Sequence, residues 1–127
     1  MSTSVLVVDD NEDNLQIVRH ILLARGFTVR TALSGAAALQ AVEAERPDVI
    51  LLDVMMPEMD GMEVLDRLKA CPENAAIPVI LVTAKTQDED VLAGYRSGAD
   101  YYITKPFTGR QLLYALGLVL GTENNGK

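Results

Sequence analysis

Basic charge is scarce in this chain: 11 lysines and arginines stand against 18 aspartates and glutamates, a formal net charge of −7. Binding to a nucleic-acid backbone needs a clustered basic patch, and none is visible, so a nucleic-acid surface is not expected. Cysteine is scarcer still. The single Cys71 cannot close an internal disulfide, which suits a reducing cytosol, and its place before Pro72 near a helix end suggests a structural thiol. His20 is also alone. With no Cys or His partner at metal-ligand spacing, it is expected at the surface or its boundary. No apolar stretch approaches the roughly 20 residues of a spanning helix. Met1-Ser2-Thr3-Ser4 enters a strand pattern almost at once, leaving no room for a signal peptide. A soluble, cytoplasmic protein without membrane contact is therefore expected. There is no Gly-rich loop of the Walker type, no internal repeat and no low-complexity tract.

The chain does have apolar content, 49% over 127 residues, enough for one globular domain with a proper core. Val5-Leu6-Val7-Val8, Val49-Ile50-Leu51-Leu52 and Val79-Ile80-Leu81-Val82 read as strands of a parallel sheet covered on both faces. Residues 27–32 alternate like a further strand, and Tyr101-Tyr102-Ile103-Thr104 like a fifth. Between them, Leu15, Val18, Ile21 and Leu22 recur at helical spacing and stop before Gly26. A second helix, around Leu39 and Val42, is expected to end at Pro47, because the residue before proline is pushed out of the helical region. Val64, Leu65 and Leu68 mark a third helix. A fourth opens in Asp88-Glu89-Asp90 and ends near Gly98. The last begins around Thr108 and runs through Leu112, Leu116 and Val119. Strand and helix alternate five times, which predicts an open α/β sandwich over residues 1–120. Residues 121–127 read as a polar tail or the start of a linker.

In parallel sheets of this kind, ligands bind in the crevice outside the carboxyl ends of the strands. Asp9 and Asp10 close the first apolar run, Asp53 closes the central one, Thr83 ends the fourth strand, and Lys105 follows the fifth. Three carboxylates, a hydroxyl and an ammonium are thus predicted to meet in one place. Carboxylates gathered without a counterion repel, and a divalent cation removes the conflict. Hard oxygen ligands suit Mg²⁺, which combines one or two carboxylates with waters and phosphate oxygens. Such a site, with a lysine and a hydroxyl donor, is built to hold a phosphoryl group, and a carboxylate can be the nucleophile. Asp53, ending the most buried strand, is the best-placed acceptor.

Over roughly residues 4–120 the chain resembles the receiver domain of two-component response regulators. The resemblance rests on Val7-Val8-Asp9-Asp10-Asn11, Leu51-Leu52-Asp53-Val54-Met55-Met56-Pro57, Asp60-Gly61, Val82-Thr83-Ala84 and Lys105-Pro106-Phe107, in this order and at these intervals. It implies a flavodoxin-like, doubly wound (βα)5 sandwich with a parallel sheet in order 2-1-3-4-5. It also implies roles for individual residues. Asp53 would accept a phosphoryl group from a histidine kinase or phosphotransfer protein. Asp10, Asp53 and the backbone carbonyl of Met55 would ligate Mg²⁺, with Asp9 holding a metal-bound water. Lys105 and Thr83 would contact phosphoryl oxygens, and Ala84 would leave the group room. Tyr102 matches an aromatic switch position that turns inward as Thr83 moves. The bond between Lys105 and Pro106 is expected to be cis. Met55 and Lys85 flank the path of an attacking water, and neither can act as a base, so slow self-dephosphorylation is expected. The protein would then be a signalling switch and not a turnover enzyme. Its output would be a partner protein, a domain or a homodimer, reached through the fourth helix, fifth strand and fifth helix.

Other readings compete at several positions. Asp9 and Asp10 are also plausible helix caps. The run from Asp9 to Asp13 suggests a calcium loop, but Asn14 stands where the turn needs Gly and His20 where a bidentate Glu belongs. A Mg²⁺-dependent phosphatase would need an acid two residues beyond the nucleophile, where Met55 stands. A phosphorylation-independent pseudo-receiver is the main alternative, and the complete acid pocket argues against it. Strand alternation puts Tyr101 and Tyr102 on opposite faces, so one alone can serve a switch. In the last helix, Leu112, Leu113, Tyr114, Leu116, Leu118, Val119 and Leu120 exceed a single apolar stripe. Either that helix is deeply covered, or with Tyr95 it forms a phosphorylation-dependent contact.

Overall fold

The computed structural model describes residues 3–54, 56, 59, 61–83 and 98–121. Its elements are β1 (Ser4–Val8), α1 (Glu12–Leu23), β2 (Thr28–Ala32), α2 (Gly35–Ala44), β3 (Val49–Asp53), α3 (Gly61–Ala70), β4 (Val79–Thr83), β5 (Tyr101–Thr104) and α4 (Gly109–Leu120). The strands form one five-stranded sheet in the order β2-β1-β3-β4-β5, with every neighbouring pair parallel. The expected doubly wound α/β architecture is observed. The helix expected from Asp88 towards Gly98, and Tyr95 within it, lie outside the described residues apart from Gly98 itself.

Alternation along the strands divides the core into two layers. Leu6, Val8, Ile50, Leu52, Val79 and Leu81 face α2 and α3, where Ala38, Val42, Val64, Leu65 and Leu68 meet them. Val5, Val7, Val49, Leu51, Ile80 and Val82 face the other way, onto Leu15, Val18 and Leu22 of α1 and Leu112, Ala115 and Leu116 of α4. All five residues of β3 are buried, because that strand has a neighbour on each side and helices on both faces. Edge strands β2 and β5 are only partly covered. Tyr101 packs with the α1–α4 layer and Tyr102 with the α2–α3 layer, as alternation requires.

Local chemistry sets the helix ends. Asn11 caps α1, its Oδ1 accepting from the Asn14 N–H at 3.0 Å. Ser34 caps α2 through its Oγ, which accepts from the Ala37 N–H at 3.1 Å. Thr108 and Gln111 form a reciprocal capping box on α4. Helix α2 ends at Ala44 with Glu45 as its C-cap, short of Pro47 as the proline rule requires. Arg30, on edge strand β2, braces that end: its guanidinium donates to the carbonyls of Ala41, at 2.9 Å, and Glu45. The Ala41 carbonyl also accepts from the N–H of the C-cap residue Glu45 at 3.1 Å, the last bond of the helix. Among the described residues, no helix is long and apolar enough to cross a membrane.

Candidate functional site

Aspartates occupy both edges of the sheet, but with different surroundings. At the amino-terminal edge, Asp48 Oδ2 accepts from the Ser4 N–H at 2.7 Å, and Asp100 Oδ2 from the Val79 N–H at 2.9 Å. These acids satisfy backbone donors at strand entries. At the carboxyl edge the acids converge on one another. Carboxylate oxygens of Asp9, Asp10 and Asp53 all lie within 4.8 Å of each other, with Asp9 and Asp53 buried and Asp10 exposed.

Backbone pairing produces this convergence. Asp9 follows β1, and its N–H donates to Ala32 O at 3.1 Å, at the end of β2. Asp53 ends β3 opposite Val82 of β4, and the Val54 N–H donates to Val82 O at 2.9 Å. The Lys105 N–H donates to Thr83 O at 2.7 Å, so the end of β4 aligns the residue that follows β5. The Lys105–Pro106 peptide is cis, as expected. Asp9 does not cap α1. Its Oδ1 accepts from the Asn11 N–H at 2.9 Å, and Asn11 makes the cap.

Lys105 Nζ reaches between two of the acids, 3.2 Å from Asp53 Oδ2 and 3.3 Å from Asp9 Oδ2. Burial alone would lower the pKa of this lysine, but the charges and hydrogen bonds of Asp53 and then Asp9 outweigh it and hold the value above 10.5. Three carboxylates still face one ammonium, leaving a formal excess of negative charge. The donor set is all oxygen. Charge and donor type therefore fit a hard divalent cation such as Mg²⁺.

Thr83 ends β4, and Tyr102 lies one strand over, paired in register with Leu81. The Tyr102 ring centroid is 6.2 Å from that of Tyr101. Met55, Ala84 and Lys85 lie outside the described residues. Two contributors carried no role in the sequence reading. Phe107, with Val7, Val18, Leu51 and Val82, lines a cavity of about 20 Å³ against Asp9, Asp53 and Lys105. Gly61 presses against the backbone of Asp53 and Val54. Both stand in the quoted motifs, Lys-Pro-Phe and Asp-Gly, but what each touches is not encoded in spacing. His20 is exposed, and Cys71 is partly buried with its Sγ 3.7 Å from Glu73 Oε1. On α4, Leu112 and Leu116 are buried, Leu113, Leu118, Val119 and Leu120 are partly covered, and Tyr114 is 57% exposed. That helix is thus largely covered by its own domain.

A family model described as the response regulator receiver domain matches residues 5–117. The probable transcriptional regulatory protein TcrX of Mycobacterium tuberculosis is 42% identical over 117 residues, covering 92% of this chain and 49% of that protein. The alkaline phosphatase synthesis transcriptional regulatory protein PhoP of Bacillus subtilis is 40% identical over 112 residues, 88% of this chain and 46% of that one. This chain spans about half the length of these curated relatives. Among solved structures, the chemotaxis protein CheY4 of Vibrio cholerae superposes with a TM-score of 0.91 at 35% identity, covering 94% of this chain and 100% of that one.

Proposed function

This chain belongs to the response regulator receiver domains of two-component systems, and on that premise we propose that it is a phosphoryl-accepting switch with Asp53 as the acceptor. Phosphorylation as a switch, and Mg²⁺ at an acidic pocket, are general to the family. The observation that carries the proposal is the meeting of Asp9, Asp10 and Asp53 within 4.8 Å, with Lys105 reaching two of them.

An Asp53 carboxylate oxygen attacks the phosphorus of a phosphohistidine on a kinase or phosphotransfer protein. The phosphorus–nitrogen bond breaks, and the imidazole leaves with its electron pair. When bound, Mg²⁺ neutralises charge on the transferring oxygens. Asp10, Asp53 and the Met55 carbonyl would be its ligands, with Asp9 acting through a water. Lys105 follows the new charge, exchanging its contact with Asp53 Oδ2 for a phosphoryl oxygen. Thr83 donates its hydroxyl to another oxygen, and Ala84 leaves the group room. Tyr102 turns inward behind Thr83. The added charge, about −1.5 to −2, favours the arrangement in which these donors converge.

The readout is proposed to pass through the β5–α4 face. There a groove of about 640 Å³ is lined by Tyr101, Tyr102, Phe107, Arg110, Gln111 and Tyr114, among others. Its occupant would be an output protein or domain, or a second copy of the chain. The names of TcrX and PhoP support transcription as one such output. The receiver unit is taken as residues 1–120, with 121–127 a tail or linker, and a cytoplasmic location belongs to the same reading.

The test is intact mass after incubation with Mg²⁺ and acetyl phosphate, beside Asp53→Asn. One phosphoryl group on the native chain, absent from the variant and without Mg²⁺, is expected. With Met55 and Lys85 unable to act as bases, the adduct should also outlast seconds in Mg²⁺. No addition, with Mg²⁺ binding demonstrated, would favour a phosphorylation-independent interaction module.

A further inference from the structure

Gly61 opens α3, a place where glycine is a poor helix former and where its backbone is not in the left-handed region. Conformational freedom therefore does not explain the residue. Contact does. A Cβ at position 61 would stand 2.3 Å from the carbonyl oxygen of Asp53, 2.8 Å from Val54 Cα and 2.9 Å from the Asp53 carbonyl carbon. All three are backbone atoms, so no side chain can swing aside to make room. The Gly61 N–H also donates to Val54 O at 3.0 Å, while the Val54 N–H donates to Val82 O at 2.9 Å. The peptide that follows the acceptor aspartate is thus held between β4 on one side and the bare first turn of α3 on the other. Helix α2 makes a similar approach nearby. A Cβ on its first residue, Gly35, would stand 3.0 Å from Met59 O, 3.0 Å from Met59 Cγ and 2.8 Å from Val64 Cγ2.

We propose that Gly61 is a positioning residue for phosphoryl transfer: its missing side chain sets the depth of the Asp53–Val54 peptide, and with it the reach of the Asp53 carboxylate towards Asp9, Asp10 and Lys105. Gly35, from the side of α2, packs against Met59 and Val64 and so supports the first turn of α3 on which Gly61 stands. The inference rests on Asp53 being the acceptor. Moving a reacting group by about 1 Å can cost on the order of 10²-fold in rate. A Cβ at 2.3 Å from a backbone oxygen must displace either the Asp53 peptide or α3.

The experiment compares the full chain with Gly61→Ala, Gly35→Ala and Gly26→Ala. Gly26 has φ +88° and nothing within 4 Å of the place a methyl group would take, so its substitution strains the fold without touching the segment. Two quantities are read on protein shown to be folded by circular dichroism: the phosphorylation rate from acetyl phosphate, and Mg²⁺ affinity by calorimetry without phosphodonor. For Gly61→Ala the rate should fall about 10- to 100-fold and the Mg²⁺ affinity severalfold, whereas Gly26→Ala should keep both even as its melting temperature drops. Gly35→Ala should fall in the same direction by less, and it decides the question if Gly61→Ala does not fold. Wild-type rate and Mg²⁺ affinity in folded Gly61→Ala would overturn the inference, as would equal losses in Gly26→Ala. A native chain that takes up no phosphoryl group would instead overturn the proposed function, and this inference with it.

Discussion

Lys105 is the residue on which the electrostatics of the site turn. Its ammonium lies within 3.3 Å of carboxylates from two different strand ends, and their attraction outweighs the desolvation it suffers. Because its folded pKa is raised above the usual 10.5, its pairing contributes fully at neutral pH, below the unfolded value. The contribution is lost as pH climbs above 10.5 and through the higher folded value. Thermal melts across that alkaline range should show the native protein losing more stability than Lys105→Met, and parallel losses would refute the pairing. The convergence of Asp9, Asp53 and Lys105 was legible in the sequence because all three end or follow strand runs. The different duty of Asp48 and Asp100 was harder to see. Each stands just before a strand, and only the folded chain shows the backbone N–H that each satisfies.

At the scale of elements, caps decided boundaries more closely than hydrophobic pattern. Thr108 was the expected start of the last helix, and there it forms a capping box with Gln111. Replacing it with Ala should cost about 1 kcal/mol, measured as a lower denaturant midpoint with unchanged slope. No change would mean that the packing of Leu112 and Leu116 alone holds that end. Helix α2 stops before Pro47, as the proline rule requires, and Arg30 braces its end from another element. A proline rule works along the chain, whereas a guanidinium arriving from β2 to take the Ala41 and Glu45 carbonyls is a contact across 11 and 15 residues. The apolar residues of α4 were similarly ambiguous. Their number did not distinguish a covered helix from a docking face, and burial of Leu112 and Leu116 beneath Val5, Leu51 and Ile80 favours cover for most of them.

At the scale of the molecule, the acid pocket is a concentration of like charge that folding creates. In the unfolded chain Asp9 and Asp53 are far apart in sequence, and folding brings both carboxylates to one ammonium. A cation that binds the folded pocket and not the unfolded chain stabilises by mass action, about 2.7 kcal/mol at a hundredfold excess over its dissociation constant. Mg²⁺ should therefore raise the melting temperature of the native protein. The rise should shrink markedly in Asp10→Asn, which removes the exposed carboxylate of the three, and chelator should reverse it. An equal rise in native and variant protein would place the ion elsewhere.

The amino-acid sequence by itself determined the class of fold and the strand ends at which the three acids and Lys105 meet. Runs of apolar residues long enough for buried parallel strands, each ending in an acid, a hydroxyl or a lysine, are local features that a linear reading captures. The tertiary structure alone decided which atoms touch. Lys105 chooses Oδ2 of Asp9 and of Asp53, Phe107 lines the small cavity beside them, and Gly61 lies against the Asp53–Val54 peptide. Those contacts join residues distant in the chain at separations of a few ångströms. They depend on how two layers of helices settle on one sheet, which no spacing along the chain specifies.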